Sequence, residues 1–268
     1  MSTSEALLPA WGAAATATIM FLAWLRQRRT ENAGVVDVLW AFAIGGLGVA
    51  YALAADGWIG RRALVGGIVA IWSVRLGLHL AQRVFSEAED GRYAEIRASK
   101  GETANVWLFC FFQAQAALAV LLSLAVLVPA SAKLEGFRAW DFAALLVFAV
   151  SVTGETIADR QLAAWRRDPA NRGRTCRSGL WAWSRHPNYF FEWLHWLTYP
   201  LIAVGLPGGA FIWLAPALLL YLILAVTGIP PTEARAIESR GDDYRDYQRT
   251  TNAFFPGPPR AQAARNSS

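Results

Sequence analysis

The chain is poor in the residues that usually carry soluble chemistry: among 268 residues there are two cysteines, three histidines and 17% charged residues. The cysteines, Cys110 in an apolar run and Cys176 in a basic loop, exclude a disulfide scaffold and a cysteine-based zinc site. His79, His186 and His195 stand on different segments and lack the close spacing of a helix-borne metal site, so no metal is expected. No strand-like run leads into a Gly-x-Gly-x-x-Gly pattern and no Walker sequence occurs, which excludes the common soluble nucleotide folds. The basic residues, despite a formal net charge of +5, stand between apolar segments and form no solvated patch, so nucleic acid is not an expected partner. Residues 1–25 carry no positively charged stretch ahead of the first apolar run, so they read as a retained span and not as a cleaved leader.

What the chain does have is apolar length. It is 55% hydrophobic with 13 tryptophans, and apolar runs recur at roughly 6–25, 34–54, 63–82, 106–128, 140–158, 188–205 and 209–227. Each approaches the ~20 residues that carry a helix across a bilayer. The expectation is an all-α integral membrane protein of seven transmembrane helices, forming one domain over 1–256. Cytoplasmic loops are expected at 83–105 and 159–187, and a disordered tail at 257–268. Lys and Arg fall unevenly between alternate loops: twenty lie after the first, third, fifth and seventh spans, against Arg61, Arg62, Lys133 and Arg138 on the other side. That asymmetry puts the N-terminus outside and the C-terminus in the cytoplasm, as for a bacterial inner-membrane protein.

The remaining cation, Arg75, lies inside the third run, with His79 four residues on and therefore on the same helix face. An ionisable group within a membrane is costly and points to a functional site. The same topology brings Asp37 and Trp40, Gln113 and Gln115, Glu155 and Asp159, and Asn188, Tyr189, Glu192 and His195 to the cytoplasmic half of their spans. Five helices offering polar groups at one depth predict a polar cavity open to the cytoplasm, because unpaired polar groups facing hydrocarbon cost several kcal/mol each. Individual pairs, such as Asp37 or Glu155 with Arg75, read equally well as structural ion pairs.

The most informative stretch runs from Gly179 to Glu192, where a basic loop turns into an apolar helix. Pro187 suits the first turn of a helix, which places Asn188, Tyr189 and Glu192 on the opening turns. A helix start beside Arg185 and His186 suits a phosphate or another anion; the alternative is a charged anchor at the membrane edge. The loop at 83–105, with Arg92 and Tyr93 after the turn at Asp90-Gly91, reads either as a lid or as a solvated connecting helix. Gly45-Gly46-Leu47-Gly48 reads as helix packing. In the tail, the Pro-Pro-Thr at 230–232 starts a short helix, and Phe254-Phe255-Pro256 is expected to pack on the membrane face or the cavity mouth.

The run Gly179-Leu180-Trp181, Ser184-Arg185-His186-Pro187-Asn188-Tyr189 and Glu192 resembles the steroid 5-alpha-reductase-like membrane superfamily, particularly its bacterial branch DUF1295. The resemblance extends to Asp37, Trp40, Arg75, Arg92-Tyr93 and the stretch from Tyr247 to Pro256. It implies seven spans enclosing NADPH from the cytoplasmic side, with hydride passing to an activated carbon–carbon double bond of an apolar, steroid-like or other lipid substrate. By position, it implies that Asp159, Arg166 or Arg167, Asn188 and Glu192 contact the cofactor and that Arg92 approaches its phosphates, with Arg185, His186 and Tyr189 in the same cradle. Arg75, His79 or Tyr93 would then polarise the substrate carbonyl or deliver a proton. The chain departs from the resemblance in two places. The second span lacks the Gln-Glu pair of the steroid reductases, and Phe191 stands where relatives have glycine before the motif's glutamate.

Two other functions fit some of the same residues. Arg-His-Pro-x-Tyr also resembles the cofactor helix of isoprenylcysteine and phospholipid methyltransferases, which use S-adenosylmethionine; these usually carry a Glu-Glu pair in the tail, where this chain has Glu233-Ala234. A non-catalytic lipid-binding protein predicts no nucleotide affinity at all.

Overall fold

A computed structural model describes residues 3–86 and 89–260, and every regular element among them is helical. Residues 87–88 of the loop at 83–105, and 261–268 of the expected disordered tail, lie outside the described residues. In chain order the helices are α1 (Thr3–Thr30), α2 (Val35–Ala54), α3 (Ile59–Ser86), α4 (Gly91–Lys100), α5 (Ala104–Ala130), α6 (Ala139–Arg167), α7 (Pro187–Trp196), α8 (Thr198–Ile202), α9 (Leu214–Tyr221), α10 (Ile229–Arg240) and α11 (Asp242–Thr250). Among the described residues, six helical segments are long and apolar enough to cross a membrane.

The stretch at 188–205, expected as one span, instead forms α7 and the short α8. Pro200 explains the break. It has no N–H to give to the carbonyl of Trp196, and its ring crowds that carbonyl; α7 ends at Trp196. Elsewhere the helices overrun the apolar runs. α3 continues to Ser86 and α6 to Arg167, so part of each expected loop is helix.

Within the stretch expected to form one domain, the chain divides into two compact units, Met1–Asp141 with Tyr199–Ala215, and Phe142–Thr198 with Pro216–Ser268. In the first unit α2 packs on α1, α3 and α5. Glycine permits the closest of these approaches: a Cβ on Gly45 would lie 2.1 Å from the Ser73 hydroxyl, which donates a 2.9 Å hydrogen bond to the carbonyl of Ala41. Gly48 meets Val69 and Val126 in the same way, so this glycine run serves helix packing.

Arginines tie together one end of this unit. Arg61, fully buried, donates to the carbonyls of Leu134 (2.6 Å) and Gly136 (2.9 Å) and pairs with buried Asp141 at 3.4 Å. Arg62 caps the end of α2 through the carbonyls of Ala52 and Leu53, and Arg138 donates to those of Ile202 and Val204 at the end of α8. These are the carbonyls a helix end leaves without internal partners.

In the second unit α7 lies along α6. His195 packs on Phe148, Phe191 on Gly154, Trp181 donates to the carbonyl of Ala158, and the backbone of Leu180 donates to Gln161. The pairs run in opposite directions along the two segments, so they are antiparallel. α10 and α11 pack on each other through Ala236, Tyr244 and Tyr247.

Candidate functional site

In the first unit the segment 89–105 of the expected loop is docked. Tyr93 on α4 is 2% exposed and belongs to a core formed with Met20, Val36, Leu108 and Phe112. Its hydroxyl donates to Asp37 Oδ1 at 2.9 Å, while Arg92 Nη2 donates to Asp37 Oδ2 at 3.0 Å. Asp37 sits in the first turn of α2, where the helix dipole favours an anion. Asp90 caps α4 by accepting from the backbone of Arg92. A second tie runs through Glu89, which accepts from the backbone of Ala33 and from Arg97, which in turn reaches Gln27 of α1 at 2.6 Å. The two expectations for this loop are a lid and a solvated connecting helix; α4 is a connecting helix, but one fastened at both of these points.

A small half-open cavity of about 30 Å³ lies beside this latch, lined by Asn32, Gly34, Asp37, Leu80, Arg83, Val84, Asp90 and Arg92. It has room for one or two waters. Arg75 and His79 lie half-buried on α3, one turn apart on one face. Tyr93, expected as a proton donor, already spends its hydroxyl proton on Asp37.

In the second unit the start of α7 is built around Glu233 of α10. Arg185 presents Nε to Glu233 Oε1 at 2.7 Å and Nη2 to Oε2 at 3.2 Å, the fork geometry that suits a guanidinium and a carboxylate. Its Nη1 donates to the carbonyls of Thr251 (2.6 Å) and Gln248 (3.1 Å). His186 Nε2 lies 3.1 Å from Glu233 Oε1; a carboxylate only accepts, so Nε2 carries the proton. Burial pushes the His186 imidazole below its usual pKa, against the opposing hydrogen bond to Glu233. Gln248 Nε2 (2.6 Å) and the Tyr244 hydroxyl (3.3 Å) complete the shell of Glu233.

The tail holds the same junction from the other side. Ser184 donates to the carbonyl of Phe254, the backbone of Arg185 donates to Asn252 O at 2.8 Å, and Tyr247 donates to the carbonyls of Trp181 and Ser184. Phe254 and Phe255 pack on Phe190 and Trp193 of α7. The aromatic tail, expected at the membrane face or cavity mouth, thus packs on the Phe190 and Trp193 rings of α7.

Asn188 follows on the first turn of α7. Its Oδ1 is buried and accepts no hydrogen bond. Such an atom costs about 1–3 kcal/mol if nothing pairs with it. Tyr189 stacks on His186 with centroids 5.3 Å apart, and its hydroxyl meets Thr232 at 3.3 Å. Thr232 gives its proton to the carbonyl of Gly228, so Tyr189 is the donor. Glu192, half-buried, accepts from Trp196 at 3.1 Å. Asp159 is half-buried on α6, and Arg166 and Arg167 are exposed in its last turn.

The expected site residues therefore fall in two sets. Arg75, His79, Arg92 and Tyr93 belong to the first unit; Asp159, Arg166, Arg167, Arg185, His186, Asn188, Tyr189 and Glu192 belong to the second. Within each, the structure joins Asp37 to Arg92 and Tyr93, and Arg185 to His186 and Tyr189 through α10. Sequence reasoning missed Glu233, Tyr244 and Gln248 as members of the second set. Nothing local joins them to the start of α7, since Glu233 is 48 residues from Arg185.

The fold and these two clusters define an all-helical protein with helices of membrane-spanning length and polar groups gathered at their ends. The chain belongs to the DUF1295 family, described as a protein of unknown function, whose model matches residues 23–251. It is similar to the uncharacterized protein C594.04c of Schizosaccharomyces pombe, at 25% identity over 265 residues, covering 85% of this chain and 73% of the relative. No solved structure matches.

Proposed function

We propose that this protein is a membrane reductase that uses NADPH to reduce an activated carbon–carbon double bond of an apolar lipid or steroid-like substrate. The observation that carries the reading is the start of α7. There Asn188 Oδ1 is a buried acceptor without a donor, on a helix turn that Glu233 and the tail hold in place. A nicotinamide dinucleotide offers carboxamide N–H and ribose hydroxyl groups of the kind this acceptor lacks, so the residues present fit the group.

When bound, NADPH supplies the hydride. Asn188 and Glu192 orient it from α7, and Arg166 and Arg167, exposed at the end of α6, attract its phosphates. Arg185 and His186 are committed to Glu233 and act by fixing the helix start. Arg92, held by Asp37, keeps one face toward the cavity beside α2 and α3. In the first unit, Arg75 and His79 are the groups the resemblance assigns to polarising a substrate carbonyl, a role a cation suits by stabilising a developing oxyanion.

The same reading places seven spans in a bacterial inner membrane, with 188–205 crossing as the broken α7–α8 segment, the N-terminus outside and the site open to the cytoplasm. Its support is the charge asymmetry. Three of the four basic residues on the outer side, Arg61, Arg62 and Arg138, are taken up by backbone carbonyls of a loop and of helix ends, so their presence there has a structural cause.

The test is ligand binding by the purified protein in detergent. NADPH is expected to bind, with affinity at least tenfold weaker in Asn188→Ala and Glu192→Gln. Affinity for S-adenosylmethionine instead, or for neither molecule, would overturn the proposal. Cysteine labelling checks orientation. In a background with Cys110 and Cys176 replaced by serine, Lys133→Cys should react with an impermeant reagent in intact cells and Arg172→Cys only after permeabilisation.

A further inference from the structure

We infer that Glu233 is the positioning residue of the α7 helix start, acting on Asn188 through Arg185 and His186 and touching no ligand itself. The inference deepens the proposed function, on which its nucleotide arm rests, but its structural arm stands alone. Both carboxylate oxygens are taken. Oε1 accepts from Arg185 Nε, His186 Nε2 and the Tyr244 hydroxyl, and Oε2 accepts from Arg185 Nη2 and Gln248 Nε2. With five donors on two oxygens and a side chain 12% exposed, no lone pair remains for a ligand cation or hydroxyl.

The consequence reaches Asn188 through the chain. His186 is the residue before Pro187, and its φ of −136° and ψ of 60° set the direction in which α7 leaves the loop. His186 and Arg185 are both held at their side chains by Glu233, while their backbones are held by Ser184 and Asn252. Removing the carboxylate releases the His186 ring, leaves Arg185 held only through Nη1 on the carbonyls of Thr251 and Gln248, and strips the Gln248 and Tyr244 side chains of an acceptor. The helix start then loses its fixed entry direction, and Asn188, two residues on, loses its fixed place. α10 is remote from α7 in sequence, so a separate segment of the chain governs the geometry of the cofactor helix.

The experiment compares the full chain with Glu233→Gln and Glu233→Ala in detergent, by amide hydrogen exchange and by NADPH titration. In both variants exchange over 184–192 and 248–257 should rise at least tenfold, more in Glu233→Ala, while α2, α3 and α5 keep wild-type protection. NADPH should bind Glu233→Gln about tenfold more weakly with an unchanged number of sites, whereas a general folding defect would lower the number of sites. Unchanged exchange at 184–192 in Glu233→Ala overturns the inference, and so does lost NADPH binding in Glu233→Gln with wild-type exchange, which would make Glu233 a ligand contact. If wild-type protein binds no NADPH but exchange still rises in the variants, the proposed function falls and the positioning role stands.

Discussion

The ring of Phe191 lies against the bare backbone of Gly154: a Cβ added at Gly154 would come within 2.4 Å of it. The aromatic residue on α7 and the glycine on α6 are complementary, so Phe191, at the position where the resemblance would have a glycine, fills a slot in its own protein. Gly154→Ala should destabilise by about 1–3 kcal/mol through overpacking. Paired with Phe191→Ala it should cost less than the two single changes summed, which denaturant unfolding of the four proteins in a double-mutant cycle would measure.

Asn188 makes opposite demands on stability and binding. Its buried Oδ1 has no donor in the free chain, so Asn188→Leu should leave the melting temperature unchanged or raise it slightly. NADPH should raise the melting temperature of the wild type and not that of the variant. A wild-type-sized shift in Asn188→Leu would contradict the assignment.

Arg61 and Asp141 form a buried pair in which the guanidinium also holds two loop carbonyls. Arg61→Leu leaves Asp141 buried beside fewer donors and should cost about 3–5 kcal/mol. Arg61→Lys should not restore stability, because an ammonium cannot reach three acceptors in a fork. Thermal unfolding of the two variants checks both statements.

Tyr93 and Asp37 fasten α4 to α2 at 2.9 Å. Tyr93→Phe removes one hydrogen bond to a charged group, worth about 1.5–3 kcal/mol. The expected result is faster proteolytic cleavage within 91–103, with the other interhelical loops unchanged.

His186 makes the second unit sensitive to acid. Its folded pKa lies below the ordinary value of 6.5 because burial disfavours the charged ring, although Glu233 opposes this and Arg185 and Arg240 add repulsion. The unfolded chain therefore binds a proton more readily than the folded one. The stability from neutral His186 is complete above about pH 6.5 and declines as pH falls below it toward the lower folded pKa. The melting temperature should drop as pH falls below about 6.5, and His186→Gln should flatten that part of the profile.

Part of the site was legible because it is local. The Pro187 helix start, the i, i+4 placement of Arg75 and His79 and the packing role of Gly45 follow from spacing that one helix enforces. The pairing of Asp37 with Arg92 and Tyr93 was not, although all three residues stood out, since it joins positions 55 and 56 residues apart. Glu233 stood out only as half of a missing Glu-Glu pair, and its partners were invisible for the same reason.

By itself the sequence determined that this is a helical chain of apolar spans, because transfer of a side chain into hydrocarbon and the helical period are properties of neighbouring residues. It also determined the charge asymmetry of the loops. Only the tertiary structure decided that Glu233 engages Arg185 and His186 and that Phe191 seats on Gly154. Each of these depends on which distant group arrives at a given place, and a buried polar or bulky side chain is settled by the partner it finds.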